Sequence, residues 1–456
     1  MTDRSPVEIM AQLTVEQKAS LMSGLDFWHT EPVPRADIPS IMLTDGPHGV
    51  RKQTAAGDHL GLNSSVPATC FPPAVALGCS FDPELVEQVG AALGAEAKAL
   101  QVAVLLGPGI NIKRSPLCGR NFEYLSEDPL LSGVLGAALV RGVQSQGVGA
   151  SLKHFAANNQ ETDRMRVSAD IDPRPLREIY LRAFERVVRD AQPWTVMCSY
   201  NRINGVFSSR NPWLLTDVLR DEWGFEGLVV SDWGAVDDRV ASLAAGLDLE
   251  MPSTGGRTDA EIVAAVRAGT VDESVLDQAA SRVIELVQKA VAAADPDATF
   301  DPDAHHAFAR EVAGQSIVLL RNENDLLPLS ADANVAVIGE LARTPRYQAP
   351  ARRASNRRAS TTRSTRCAHC PAATCPSLPD MHSTDRTRPH SSRKQSRSPE
   401  RRRSRSSSWV CLPNSNPRAS TVTISNSRTA RSHCSTGCWW RTRTSSSCCR
   451  TVASCG

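Results

Sequence analysis

The sequence predicts an α/β protein: a (β/α)8 TIM-like barrel, then the opening of a second α/β domain, then an Arg/Ser/Cys-rich tail. Three observations predict it. Over residues 1 to about 290, short apolar runs alternate with segments of helical periodicity, the pattern of a chain of β–α units. Nearly every candidate strand ends in polar residues, where barrels of this kind carry their chemistry. No glycine-rich phosphate fingerprint follows any strand, which counts against a dinucleotide-binding sheet.

The elements follow in order. Candidate strands are Ile41–Leu43, ending in Thr44-Asp45; Val102–Leu106; Ala150–Leu152, ending in Lys153-His154; Thr195–Cys198, ending in Ser199-Tyr200; and Leu228–Val230, ending in Ser231-Asp232. The helix expected over Arg174–Ala191 places Leu176, Ile179, Tyr180, Ala183, Val187 and Val188 on one stripe. Asp259–Ala268 and Glu273–Val291 read likewise. Residues 1–291 therefore form the expected barrel and 292–312 a linker. Residues 313–347 begin a second domain whose buried strands are Ser316–Leu320 and Val335–Ile338.

Composition divides the chain again. The net charge of +2 hides a tail, 348–456, with 21 Arg and Lys against three acids; residues 1–347 carry 30 bases against 46 acids. Nine of the 13 cysteines lie in that tail. Ser/Arg-rich and without sustained apolar periodicity, it is expected to be disordered. Cys367 and Cys370 resemble half a zinc site and Arg401–Ser408 a nucleic-acid tail, but neither a metal nor a nucleic-acid partner is expected. The N-terminus lacks a basic start followed by an apolar run, and no stretch approaches the roughly 18 apolar residues of a membrane helix. A soluble cytoplasmic protein is expected, with its oligomeric state left open.

Carboxylates at strand ends are the first candidates for chemistry. Asp232, in VVSDW, follows an apolar strand and has Trp233 beside it as a stacking face; its bland alternative is a cap on the next helix. Lys153 and His154 can bind hydroxyls and hold a carboxylate ionised, or form an ordinary solvated loop pair. Asp45 sits where Gly46, Pro47 and Gly49 force a tight turn, and can accept from two neighbouring hydroxyls or only cap that turn. Arg120 offers a planar donor fork, or a surface ion pair.

Five blocks then occur in a fixed order: LTDGPHGVRK, LGPGINIKRSPLCGRNFEYLSEDP, SLKHFAANNQETDRMRV, MCSYNRINGV and GFEGLVVSDWGAV. Together they resemble family 3 glycoside hydrolases of the β-glucosidase type, from about Leu13 to Gln348. The resemblance implies a retaining β-glycosidase acting on terminal non-reducing β-D-glucosyl residues, without cofactor or metal. It implies that Asp232 attacks the anomeric carbon, and that Asp45, Arg120, Lys153, His154, Arg164, Met197, Tyr200 and Trp233 line the sugar subsite. Its second carboxylate, roughly 5–5.5 Å from the nucleophile in retaining enzymes, would come from an α/β sandwich domain. The β-N-acetylhexosaminidase branch carries a Gly-rich Lys-His loop, which KHFAANNQE does not match.

In that family RTPRYQ, here Arg343–Gln348, is followed by a GAGSS-type loop. A nucleotide lost near Gln348 accounts for the departure. Ser (in its TC codons) and Cys would then derive from codons with a middle T, which encode only apolar residues, so Ser445-Ser446-Ser447-Cys448-Cys449 would have been apolar throughout. With G- and C-rich first letters chosen under the family's guidance, Ala349–Arg353 reads back as GAGSS, and Cys411–Ser435 as a stretch containing Glu-Gly-Phe-Asp-Arg. The codon of the acid/base glutamate then straddles Pro417 and Arg418, so activity of the chain as written is expected to be impaired. The alternative is a catalytically dead carbohydrate-binding barrel.

Overall fold

The computed structural model describes residues 4–53, 57 and 64–343, and the backbone of 356–357, 408–411 and 421–424. Two compact units result, Met1–Val318 with Gln348–Ala359, and Leu319–Tyr347 with Ser360–Gly456.

In the first unit, five parallel strands form one sheet in sequence order: β1 (Leu43–Asp45), β2 (Val104–Leu106), β3 (Gly149–Phe155), β4 (Thr195–Cys198) and β5 (Leu228–Val230). All five are buried along their length, which is why they read as continuous apolar runs instead of alternating ones. Single bridges carry the pairing further. Val230 pairs in parallel with Leu249 and Glu250 with Ser23; Gly24 then pairs antiparallel with Thr30 and His29 with Met42, one residue before β1.

Helices α1 (Pro83–Ala99), α2 (Pro129–Ser145), α3 (Arg182–Ala191), α4 (Arg257–Arg267), α5 (Glu273–Ala293) and α6 (Pro302–Gln315) are the longest α-helices among the described residues of this unit. Asp82, Asp128 and Asp301 cap α1, α2 and α6, each followed by proline at the first helical position. Aspartate accepts the orphan N–H groups while proline has none to lose, a cap worth about 1 kcal/mol. The α1–α2 crossing is close because Gly142 lies on the Glu87 carbonyl, where a Cβ would overlap.

Several expectations are corrected. β1 spans Leu43–Asp45, so Asp45 is its last residue instead of following it. The helix expected over Arg174–Ala191 contains a π-helical turn, Leu176–Leu181. This shifts the period, leaving Ile179 exposed instead of on the stripe. The linker at 292–312 is shorter, because α5 runs to Ala293 and α6 starts at Pro302. α6 buries Ala309 and Val312 and sets Phe308 6.1 Å from Phe71, so its apolar face belongs to the first unit.

Ser316–Leu320 is not a buried strand; Ile317 is 77% and Leu320 91% exposed, because no strand pairs with the segment among the described residues. Ala336–Ile338, β6, does form, pairing antiparallel with Ser408–Cys411, which pairs antiparallel with Thr421–Ile424. These two strands lie within the tail expected to be disordered; Thr421–Ile424 is β-branched throughout, and Ser408–Cys411 carries Trp409 and Val410, residues that favour strands. The rest of that expectation, with Cys367 and Cys370, falls outside the described residues. Among the described residues no helix is long and apolar enough to cross a membrane.

Candidate active site

Parallel strands bring their carboxyl ends to one edge, and the polar residues foreseen there meet at it. Asp45 closes β1, where the chain turns through Gly46 at φ 127°, a conformation open to glycine. Lys153 and His154 lie inside β3, both 1% exposed, so they are not a solvated loop pair. Consecutive residues of a regular strand face opposite ways. Here the register shifts: Leu152 pairs with Val196, but Phe155 pairs with Cys198, leaving three steps on β3 against two on β4. The bulge releases Lys153 and His154 from alternation, and both reach the site.

The contacts form one arc. Lys153 Nζ donates to Asp45 Oδ1 at 3.0 Å and lies 3.6 Å from Glu123 Oε1. Glu123 Oε2 pairs with Arg120 Nη2 at 2.8 Å. The same Nη2 lies 2.8 Å from His154 Nε2, which in turn stands 3.8 Å from Asp232 Oδ2. Asp232 Oδ1 accepts the Trp233 N–H at 2.8 Å, while Oδ2 is buried and accepts no hydrogen bond from the described residues. Asp232 is not a helix cap, since Asp238 caps the next helix, Arg239–Ala244. Tyr200 donates its hydroxyl to the Trp233 carbonyl at 3.0 Å. The Arg164 guanidinium lies 4.4 Å over the Tyr200 ring and pairs with Glu161 at 3.0 Å. Met197 is placed differently from the others: it is buried in β4 opposite Val230 and joins the apolar core.

Charge and burial set the protonation of the arc. Burial disfavours the Arg120 cation, yet Glu123, Tyr124 and Asp232 around it raise its pKa well above the ordinary value, so it is no surface ion pair. Burial raises the Tyr200 phenol, and the nearby Asp232 charge raises it further. Burial likewise pushes the Cys198 thiol up to about 12. Glu161 is raised by burial despite Arg120 and Arg164 beside it. No group of three or more metal-binding side chains occurs among the described residues.

Asn111, Glu123, Tyr124 and Glu161 belong to the arc but were not singled out from the sequence. Glu123 and Tyr124 follow Arg120 by three and four positions, in a 3-10 turn at Asn121–Glu123; that spacing was a usable signal. The Trp233 indole is anchored from elsewhere. Its Nε1 donates to the Phe27 carbonyl at 2.7 Å, and its ring packs 5.5 Å from Trp28.

The glycosyl hydrolase family 3 N-terminal domain matches residues 16–286. The chain is 58% identical over 341 residues to thermostable beta-glucosidase B of Acetivibrio thermocellus, covering 75% of this chain and 45% of that protein. It is 59% identical over 347 residues to an exo-alpha-(1->6)-L-arabinopyranosidase of Bifidobacterium longum, covering 74% and 46%. Among solved structures, a family 3 beta-glucosidase of Bifidobacterium adolescentis aligns with a TM-score of 0.75 at 55% identity, over 80% of this chain and 52% of that one. Beta-glucosidase 3B of Thermotoga neapolitana, in complex with glucose, aligns with a TM-score of 0.70 at 42% identity, over 74% and 50%. The chain spans about half the length of these relatives.

Proposed function

This chain belongs to glycosyl hydrolase family 3, and from that premise we propose that its first unit is the barrel of a retaining β-glycosidase acting on terminal β-D-glucosyl residues. The five-stranded parallel sheet, with the bridges that return from Val230 to Met42, supports a closed (β/α)8-like barrel whose first strand enters antiparallel. The observation that carries the function is Asp232: a carboxylate at a strand's carboxyl end whose buried Oδ2 has no hydrogen-bond partner by geometry among the described residues.

Asp232 Oδ2 attacks the anomeric carbon, the glycosidic C–O bond breaks, and the aglycone oxygen leaves with the electron pair. Water then attacks the same carbon from the vacated face and releases Asp232, so configuration is retained. Asp45, Lys153, Arg120, Arg164 and Tyr200 grip the sugar's hydroxyls, and Trp233 lies against it. The departing alcohol needs a proton, and we assign its donor to a glutamate beyond residue 347 whose codon the altered reading frame has broken. The chain as written is therefore an impaired enzyme.

Incubation with 2-deoxy-2-fluoro-β-glucosyl fluoride tests this, because fluoride leaves without an acid. The expected product is a fluoroglucosyl ester on Asp232, mapped by peptide mass spectrometry and absent from Asp232→Asn. The second reading is a barrel that binds sugar without turnover. Glucose binding without adduct would select it.

A further inference from the structure

We propose that Asn111 is a positioning residue of this site: with Arg120 it holds His154 as the neutral tautomer protonated on Nδ1, so that Nε2 carries no proton beside Asp232 Oδ2. The assignment follows from which atoms can only donate and which can only accept. Asn111 exchanges two hydrogen bonds with the His154 backbone: the His154 N–H donates to Oδ1 at 2.8 Å, and Nδ2 donates to the His154 carbonyl at 2.9 Å. A reversed amide would set donor against donor and acceptor against acceptor at both contacts, so the exchange fixes which end is oxygen. Oδ1 then lies 3.3 Å from His154 Nδ1, and as an acceptor it calls for the proton on that nitrogen. The Tyr124 hydroxyl, 3.4 Å from Nδ1, is able to accept the same proton.

The other side of the ring gives an independent answer. Arg120 Nη2 has only hydrogens to offer and lies 2.8 Å from Nε2, which must therefore present its lone pair. Both sides specify one tautomer, each nitrogen's state set by the partner of the other. Asn111 is itself fixed: it is 2% exposed, and the preceding Ile110 N–H donates to the Lys153 carbonyl at 2.8 Å.

The consequence reaches the nucleophile. His154 Nε2 stands 3.8 Å from Asp232 Oδ2. A proton on Nε2 would oppose the Arg120 N–H and stand as a donor beside that oxygen, competing for the electron pair needed for attack. With Nε2 unprotonated the ring offers Oδ2 no donor, while the Arg120 charge acts on Asp232 without a hydrogen bond to Oδ2 by geometry among the described residues. This role rests on Asp232 being the nucleophile; the tautomer does not.

The test is a long-range proton–nitrogen correlation spectrum of the full chain with [15N]histidine, at neutral pH. The chain has ten histidines, and the pattern lost in His154→Gln identifies the one in question. The expected signature is a pyrrole-like Nδ1 and a pyridine-like Nε2. A protonated Nε2, alone or as imidazolium, overturns the proposal. Asn111→Asp should convert the pattern to imidazolium and slow fluoroglucosyl adduct formation by about 10- to 100-fold. Should that variant not fold, Asn111→Ser should give mixed tautomers. An unchanged spectrum in a folded variant overturns the role of Asn111, and a converted spectrum with unchanged adduct rate overturns its link to Asp232. The spectrum decides the tautomer whether or not the chain forms any adduct, so this inference and the proposed function fail separately.

Discussion

Lys153 Nζ meets Asp45 Oδ1 at 3.0 Å, joining strand ends 108 positions apart in the chain, with both side chains almost wholly removed from solvent. A buried pair of this kind costs several kcal/mol of desolvation per ion, so it adds little net stability while intact.

Breaking the pair from one side should therefore be costly. Lys153→Met removes the buried cation that Asp45 and Glu123 share, and we expect a loss of about 3–5 kcal/mol in unfolding free energy by urea titration. Asp45→Asn combined with Lys153→Met removes both charges and should recover much of that loss. A double variant no more stable than the single one would contradict the pairing.

Substrate choice should follow leaving-group acidity. General acid catalysis is typically worth 10²–10⁴-fold. On the proposal that its proton donor is lost, the chain should hydrolyse 4-nitrophenyl β-glucoside measurably and cellobiose at the limit of detection. Steady-state assays on both decide this, and comparable turnover would mean that an acid survives. The arabinopyranosidase relative makes 4-nitrophenyl α-L-arabinopyranoside the informative third substrate.

Glu161 gives stability a pH dependence with a definite sign. Burial raises its carboxyl above the ordinary value of 4.5, so the folded chain holds its proton more tightly than the unfolded chain. That contribution to stability is fully present below 4.5 and is lost as pH rises through the raised value. Glu161→Gln should remove this decline, and denaturation midpoints between pH 4 and 7 (roughly the span of such shifts) should fall less steeply than in the parent. Parallel profiles would show that Glu161 does not titrate there.

How much of this was legible depended on whether the signal was local. Thr195–Cys198 and Leu228–Val230 were readable to the residue because a buried parallel strand is an unbroken apolar run ending abruptly in polar residues. Asp232, Lys153 and Asp45 were visible for the same reason, as charges where apolar runs stop. Glu123 was not, because in sequence a buried carboxylate looks like a surface one until its cations converge from Arg120 and a different strand. Asn111 was hidden more deeply, its partner being 43 positions away. Ser316–Leu320 failed in the opposite direction: its β-forming composition is clear, but a strand also needs a neighbour to pair with.

The bridges from Glu250 to Ser23 and from His29 to Met42 also fix an order of events in synthesis. Residues 21–24 leave the ribosome long before their partners: Met22 accepts a hydrogen bond from Arg239, 217 residues later. At about 5–20 residues per second this segment waits about ten seconds or more, its apolar Leu21 and Met22 without their native cover. Chaperone demand during translation should accordingly centre on the segment around Leu21 and Met22.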